Sequence, residues 1–295
     1  MKSIVVAAAL LAGCVKTGAN VPQVPDVPQG TSDAKVSYLV VGMEKSGRFG
    51  ECPGCALDAR RITNMIKACY GYGGETLVSD EAMKSTVVRR LKEGIARTPE
   101  DGLFLFFYSG HGGQEALGGK EPDGADRKDE FLCLYDACLT DDEIWSIVST
   151  CRGRVFLYFD ACHSATMYRS VRSELLGKKD PKKARALEAG PDATERTRGF
   201  RFRPEKFVRA SALDQDGSAP SPRLLCWSGC EEDEYSFGGN KGGTLTICML
   251  ANWKAGLSYD ALWSATRNDV RKYQDRQNPV QTCVGAFTKT EEAFR

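Results

Sequence analysis

Residues 103–113 read LFLFFYSGHGG and residues 155–165 read VFLYFDACHSA, so two apolar runs each lead into a short polar segment. A continuous apolar run of this length is typical of a strand that is covered on both faces of a parallel sheet. The polar segments contain the only two histidines of the chain, His111 and His163, together with Cys162. We therefore expect two buried parallel strands that deliver polar side chains to one edge of a sheet.

Strand-like and helix-like segments alternate along the rest of the chain. Further strands are predicted at 36–42, 77–78, 224–227 and 280–287 from their apolar runs. Apolar residues at helical spacing predict helices over 57–70, 86–96, 141–148, 244–253 and 259–273. This alternation indicates an α/β fold, with a mainly parallel central sheet flanked by helices on both faces.

Composition and charge exclude some classes of protein. The chain has 295 residues, of which 42% are hydrophobic and 27% charged, as in ordinary globular proteins. Its length fits one large domain or two small ones. The formal net charge of +1 argues against bulk nucleic-acid binding, which usually requires a strongly basic domain.

The first 34 residues differ in composition from the rest. Residues 1–13 combine a lysine, a short apolar run and a small-residue end before Cys14, and they resemble a bacterial lipoprotein signal whose cysteine is lipidated. The run is shorter than the roughly 20 apolar residues that span a bilayer. Residues 14–34 carry three Val-Pro pairs and predict an extended tether. We expect lipid anchoring at the bacterial cell envelope, on its periplasmic or outer face; the alternative is a frayed apolar N-terminus on a cytoplasmic protein.

A basic segment divides the remaining chain. Residues 169–209 contain 13 lysines and arginines against six acidic residues, without a long apolar run, and predict a linker between a region at 35–168 and a region at 210–295 of one domain. Two interpretations stay open for this segment: a solvated, mobile loop, or a site of self-processing.

The chain contains twelve cysteines, and two groups of them carry predictions. Cys52-Pro53-Gly54-Cys55 has the spacing of redox and zinc sites. Zinc needs further ligands that no second motif of this kind supplies, so a disulfide or a plain turn is the favoured interpretation. Cys226, Cys248 and Cys283 lie in apolar runs and are expected to be small buried hydrophobic residues.

Cys162 and His111 form the candidate catalytic pair. A thiol nucleophile at neutral pH needs a base that accepts its proton, and histidine is the usual one. His163 is the rival base, but adjacent residues generally point apart. The backbone amides of Gly112 and Cys162 are candidates for stabilising an oxyanion. The alternative interpretation of the pair is a buried structural cysteine and a loop histidine.

These motifs resemble those of metacaspases and their bacterial relatives, a caspase-like family of cysteine peptidases. The resemblance spans residues 35–288 and rests on YSGHGG at 108–113, DACHS at 160–164 and GCALDA at 54–59, with weaker matches at 122–124, 129–130, 139–143 and 228–230. His111 also stands about 50 residues before Cys162, as in caspases. The resemblance implies a caspase-like fold in which Cys162 attacks the scissile carbonyl, while His111 accepts a proton and then donates it to the leaving amine.

The resemblance also implies a substrate preference. In metacaspases the aspartates matched by Asp58 and Asp160 line the first specificity pocket, where two carboxylates select an arginine or lysine side chain. For Asp58 the alternative is a solvated acid on a helix face, and for Asp160 an acid that caps a loop.

Calcium is an expected activator on the same grounds, since many metacaspases bind it through aspartates. Asp129, Asp141 and Asp142 stand at matching positions, and oxygen ligands suit this ion. A further acid of the family is replaced by Arg169. The alternative for Asp141 and Asp142 is that they favour the N-terminus of a helix. The peptidase chemistry itself requires no cofactor.

The sequence therefore predicts a cysteine endopeptidase that cleaves protein or peptide substrates after Arg or Lys, with self-processing in the basic segment. Two rivals remain: a catalytically silent caspase-like scaffold or binding module, and a cysteine hydrolase or transpeptidase that acts on a different acyl substrate.

Overall fold

The computed structural model describes residues 35–70, 73–116, 128–162, 201–202, 222–231 and 234–294. For residues 69–70, 114–116, 128–129 and 162 it describes the backbone alone. The predicted signal peptide (1–13), the tether (14–34), Cys14, His163 and residues 169–200 of the basic segment lie outside the described residues.

Ten strands are formed by the described part of the chain. In chain order they are β1 (Val36–Gly42), β2 (Gly73–Val78), β3 (Leu103–Ala116), β4 (Lys128–Cys133), β5 (Cys138–Thr140), β6 (Arg154–Cys162), β7 (Arg223–Ser228), β8 (Gly238–Gly239), β9 (Gly242–Gly243) and β10 (Val280–Val284). The main sheet has the order β10-β7-β6-β3-β1-β2. Its strands are parallel except for the edge strand β10, which runs antiparallel to β7.

Five α-helices cover the two faces of this sheet in the part of the chain that is described. They are α1 (Cys55–Tyr70), α2 (Lys84–Arg97), α3 (Asp141–Val148), α4 (Thr244–Asn252) and α5 (Tyr259–Tyr273). Helices α2 and α3 pack on one face, and α1, α4 and α5 pack on the other. None of these five helices is long and apolar enough to cross a membrane.

The alternation of side chains along β3 explains its continuous apolar run. Phe104, Phe106 and Tyr108 join the core beneath α2 and α3. Leu103, Leu105 and Phe107 join the core beneath α1, α4 and α5. Because both faces are covered by helices, both sets of side chains must be apolar. The structure thus confirms the predicted α/β fold with helices on both faces.

Strand β3 is much longer than the predicted run at 103–108. Its second half leaves the main sheet and pairs antiparallel with β4, from Gly112 opposite Leu132 to Ala116 opposite Lys128. Strand β4 pairs in turn with β5, so this arm is a small antiparallel extension of the sheet. The apolar pattern missed it because its residues are glycine-rich and polar.

One local prediction is wrong. Cys226 and Cys248 are buried as expected, but Cys283 is exposed, because it lies on the edge strand β10, which no further described strand covers. Phe202 falls within the predicted basic linker, yet its side chain is fully buried with its ring centroid 5.9 Å from that of Phe159. Phe202 is therefore part of the core.

Candidate active site

The candidate nucleophile and the candidate base occupy neighbouring strands. β3 and β6 pair in parallel along their whole shared length, with Ser109 opposite Asp160 and His111 opposite Cys162. Adjacent strands of a sheet lie about 4.8 Å apart, so the backbones of His111 and Cys162 are side by side. His111 lies within β3 rather than in the loop that the sequence suggested, and Cys162 is the last residue of β6.

The imidazole of His111 is held by a backbone carbonyl. The ring is buried, with 4% exposed, and Nε2 lies 3.0 Å from the carbonyl oxygen of Glu51. A carbonyl can only accept a hydrogen bond, so this contact places the proton of the neutral ring on Nε2. The lone pair is then on Nδ1, which is the nitrogen able to act as a base. Sequence reasoning did not find Glu51, because nothing in the pattern links it to His111.

A tyrosine fixes the backbone beside the ring. The hydroxyl of Tyr108 lies 2.6 Å from the carbonyl oxygen of His111 and 2.8 Å from that of Cys133. It therefore ties the point where β3 leaves the main sheet to the end of β4. Gly112, the candidate oxyanion donor, follows His111 and is paired with Leu132 of β4.

Asp58 is fully buried in the first turn of α1. Its Oδ2 accepts hydrogen bonds from Ser109 Oγ at 2.9 Å and from the amide of Gly243 at 2.8 Å. The alternative of a solvated acid on a helix face is therefore wrong. A buried carboxylate requires such donors, because its desolvation would otherwise be very costly.

Asp160 is also fully buried, in register with Ser109. Its Oδ1 accepts from Ser236 Oγ at 2.9 Å and its Oδ2 accepts from the amide of Thr246 at 2.8 Å. Thr246 lies in the first turn of α4, so Asp160 caps the amino end of a helix, whereas the alternative interpretation had it cap a loop. Capping and substrate binding are compatible roles for one carboxylate.

The two carboxylates converge on the β8–β9 hairpin, residues 238–243. A Cβ atom built on Gly242 would collide with Asp58 Oδ1, and one built on Gly243 would collide with Asp160 Oδ2. Only glycine allows the backbone to approach both acids so closely. Both acids are fully buried, and this backbone is among the groups that cover them.

Two side chains close to the aspartates, Tyr158 and Cys248, have raised pKa values. Burial, followed by the charge of Asp160, raises the pKa of Tyr158 well above its ordinary value. Burial, followed by the charges of Asp269 and Asp160, raises the pKa of Cys248 to about 12. Burial is the larger cause in both cases, and the charge of Asp160 adds to it.

The described residues do not make up a calcium site. Asp141 is buried, whereas Asp142 is exposed in the first turn of α3, where an acid favours the helix terminus. The side chain of Asp129 lies outside the described part. Among the groups that are described, no three His, Cys, Asp or Glu side chains are arranged to hold a metal ion. Calcium binding stays a prediction, with Asp129, Asp141 and Asp142 as its candidate ligands.

A family model matches most of the chain, and curated relatives match between 44% and 91% of it. The model for the caspase domain matches residues 38–290. Metacaspase-1 of Pyricularia oryzae is 29% identical over 84% of this chain and 72% of that protein. Metacaspase-1A of Aspergillus fumigatus is 26% identical over 91% of this chain and 73% of its own. Metacaspase-1 of Saccharomyces cerevisiae is 33% identical over 44% of this chain and 33% of that protein.

The fold has a counterpart among solved structures. A crystal structure of a Geobacter sulfurreducens protein superposes with a TM-score of 0.62 and covers 88% of this chain and 98% of the other, at 23% identity. At this identity the match bears on the architecture.

Proposed function

The chain belongs to the caspase-domain family and is a cysteine-type peptidase, and we propose that it is an endopeptidase that cleaves after arginine or lysine with a dyad of Cys162 and His111. The observation that carries this proposal is the pairing of β3 with β6, which sets His111 beside Cys162 and Ser109 beside Asp160. Because Ser109 and Asp160 lie two residues before His111 and Cys162 in the same two strands, the candidate dyad and the acidic site are neighbours.

The proposed chemistry has two stages. Nδ1 of His111 takes the proton of Cys162, and the thiolate attacks the scissile carbonyl carbon. The amides of Gly112 and Cys162 stabilise the oxyanion, and the carbon–nitrogen bond breaks as His111 returns the proton to the leaving amine. Water that is deprotonated by His111 then hydrolyses the thioester. The contact of Nε2 with Glu51 supports this by holding the ring in the required tautomer.

The two buried aspartates supply the preference for a basic side chain. A guanidinium or ammonium group between Asp58 and Asp160 would form charge-assisted hydrogen bonds in a site that excludes water. A substrate aspartate would meet like charges there. Binding requires the Gly242–Gly243 backbone to withdraw, so the amide of Gly243 gives up its bond to Asp58 as the substrate cation replaces it.

Three fluorogenic peptides that differ only in the residue before the cleaved bond test this preference. We expect kcat/KM for the Arg and Lys peptides to exceed that for the Asp peptide by at least about 100-fold. Asp58→Asn and Asp160→Asn preserve shape and should lower kcat/KM for the Arg peptide by about 30- to 100-fold, chiefly through KM.

Asp101→Asn is the matched control, since this acid is exposed and pairs with Lys35 away from the site. It should leave all three rates unchanged. Faster turnover of the Asp peptide would refute the acidic pocket while leaving the peptidase assignment intact. The same samples on a denaturing gel test self-processing in the basic segment: two fragments are expected, and an uncut chain in Cys162→Ala.

A further inference from the structure

The motif at Cys52–Cys55 has no part in the peptidase chemistry described above. The Sγ atoms of Cys52 and Cys55 lie 2.9 Å apart, and both residues are buried. The turn between them is closed by the amide of Cys55, 3.3 Å from the carbonyl oxygen of Cys52, with Gly54 at a φ of 90°. The two sulfurs therefore face each other in a turn whose shape depends on glycine.

This turn lies directly beneath the surface and at the start of a helix. Glu51 and Pro53, which flank Cys52, are exposed, whereas Cys55 is the first residue of α1. A small opening of the turn would admit a reagent to Cys52. Cys55 lies at the amino end of α1, which favours negative charge and therefore favours a thiolate.

The same turn contacts the candidate active site on two sides. The residue before Cys52 is Glu51, whose carbonyl oxygen holds His111, and the residue three positions after Cys55 is Asp58. Gly54 packs against the backbone of Gly239 and Gly242 in the β8–β9 hairpin. A covalent change at the two cysteines would therefore act on the orientation of the base and on the acidic site together.

We propose that Cys52 and Cys55 form a thiol–disulfide exchange site that reacts with a low-molecular-weight disulfide. The thiolate of Cys52 attacks one sulfur of the small disulfide, whose sulfur–sulfur bond breaks and whose other half leaves as a thiolate that takes up a proton. The thiolate of Cys55 then attacks the Cys52 sulfur and releases the second small thiol. Two protein thiols are oxidised to one disulfide, and one small disulfide is reduced to two thiols.

A second cysteine pair provides an internal comparison. Cys133 and Cys138 are opposite each other in the β4–β5 hairpin. Burial, followed by the hydrogen bond with Cys138, raises the pKa of Cys133 well above its ordinary value. The charge of Cys52 contributes to the same shift, so the two pairs are neighbours, and Cys138→Ser separates their contributions to exchange.

Mass spectrometry of the full chain tests the proposal, in a Cys162→Ala background that removes the proposed catalytic thiol. The protein is exposed to glutathione disulfide, alkylated and digested with trypsin. The peptide Phe49–Arg60 contains Cys52 and Cys55 and no other cysteine. We expect it to be unalkylated and two hydrogen atoms lighter than the reduced peptide. A doubly alkylated peptide, or one that retains glutathione, would overturn the proposal.

Thermal unfolding gives a second measurement. The disulfide links a turn that already has its final shape, so oxidation should raise the Tm by about 3 °C. Cys52→Ser and Cys55→Ser should each abolish this shift, whereas Cys138→Ser should retain it. An unchanged or lower Tm in the oxidised protein would also contradict the proposal. Because all samples lack Cys162, neither result depends on the proposed specificity or dyad.

Discussion

Strands β3 and β6 each have two chemically different halves. Residues 103–108 and 155–159 are aromatic or aliphatic and pack against helices on both faces. The residues that follow, from Ser109 in β3 and from Asp160 in β6, are polar or small. The apolar half therefore sets the register for the polar half, because a slip by one residue would turn every core side chain to the opposite face.

The two halves also differ in their energetic demands. Burial of the aromatic residues favours folding by removing apolar surface from water. Burial of Asp58 and Asp160 opposes folding, and hydrogen bonds from Ser109, Ser236 and backbone amides offset this cost. We therefore expect substitutions in the apolar half to change stability and substitutions in the polar half to change activity.

The largest expected effect is in the polar half. Cys162→Ala and His111→Ala should each lower kcat/KM for an Arg peptide by at least about 10³-fold, because each removes one member of a pair that acts as a unit. The double variant should be no slower than either single variant, for the same reason. Initial rates with purified full-length protein, together with circular dichroism spectra, measure both activity and folding.

Cys283→Ala is the matched control for this experiment, since it removes an exposed thiol on the edge strand. It should retain full activity. A Cys162→Ala variant that still cleaves the peptide would show that the polar half of β6 does not carry the nucleophile.

The apolar half is expected to give the largest effect on stability. Phe106 is fully buried and packs edge to face on Phe159, with ring centroids 5.7 Å apart. Phe106→Ala should lower the free energy of unfolding by about 3–5 kcal/mol, through lost burial and a cavity. Denaturant unfolding measures this, with Tyr273→Ala as the control because Tyr273 is 74% exposed. If Phe106→Ala lost activity while still folded, the two halves would not be separable.

A smaller effect is expected where the hairpin meets the polar half. Gly243→Ala would drive a Cβ atom into Asp160 Oδ2, whereas the space around a Cβ atom on Gly239 is open. Gly243→Ala should therefore destabilise the fold by about 1–3 kcal/mol and raise KM for the Arg peptide. Gly239→Ala in the same hairpin should do neither. Equal behaviour of the two variants in unfolding and kinetics would contradict the close approach of this backbone to Asp160.

Much of the fold could be predicted from the sequence, since its elements have strong local patterns. Helices α3 and α5 begin and end at the predicted residues, and β3, β6 and β7 contain the predicted apolar runs. The β4–β5 and β8–β9 hairpins could not be predicted, because short glycine-rich or polar strands acquire their structure from pairing partners. Cys283 was misjudged because an apolar neighbourhood in sequence does not show which strand lies at the edge.

The sequence predicted which residues form the candidate site better than it predicted how those residues are arranged. His111, Cys162, Asp58 and Asp160 stand out by residue type and by motif. The roles of Glu51, Ser236 and the β8–β9 hairpin had no signal in the sequence, because each acts through a backbone atom or a small side chain that is distant along the chain.

The sequence by itself determined the parallel α/β sheet and the residues able to carry peptidase chemistry, because apolar periodicity and reactive side chains are local properties of the chain. Only the tertiary structure decided that His111 is opposite Cys162, that Glu51 holds the imidazole, and that two acids are buried against Gly242 and Gly243. These relations depend on strand register and on contacts between distant segments, which form when the whole core packs.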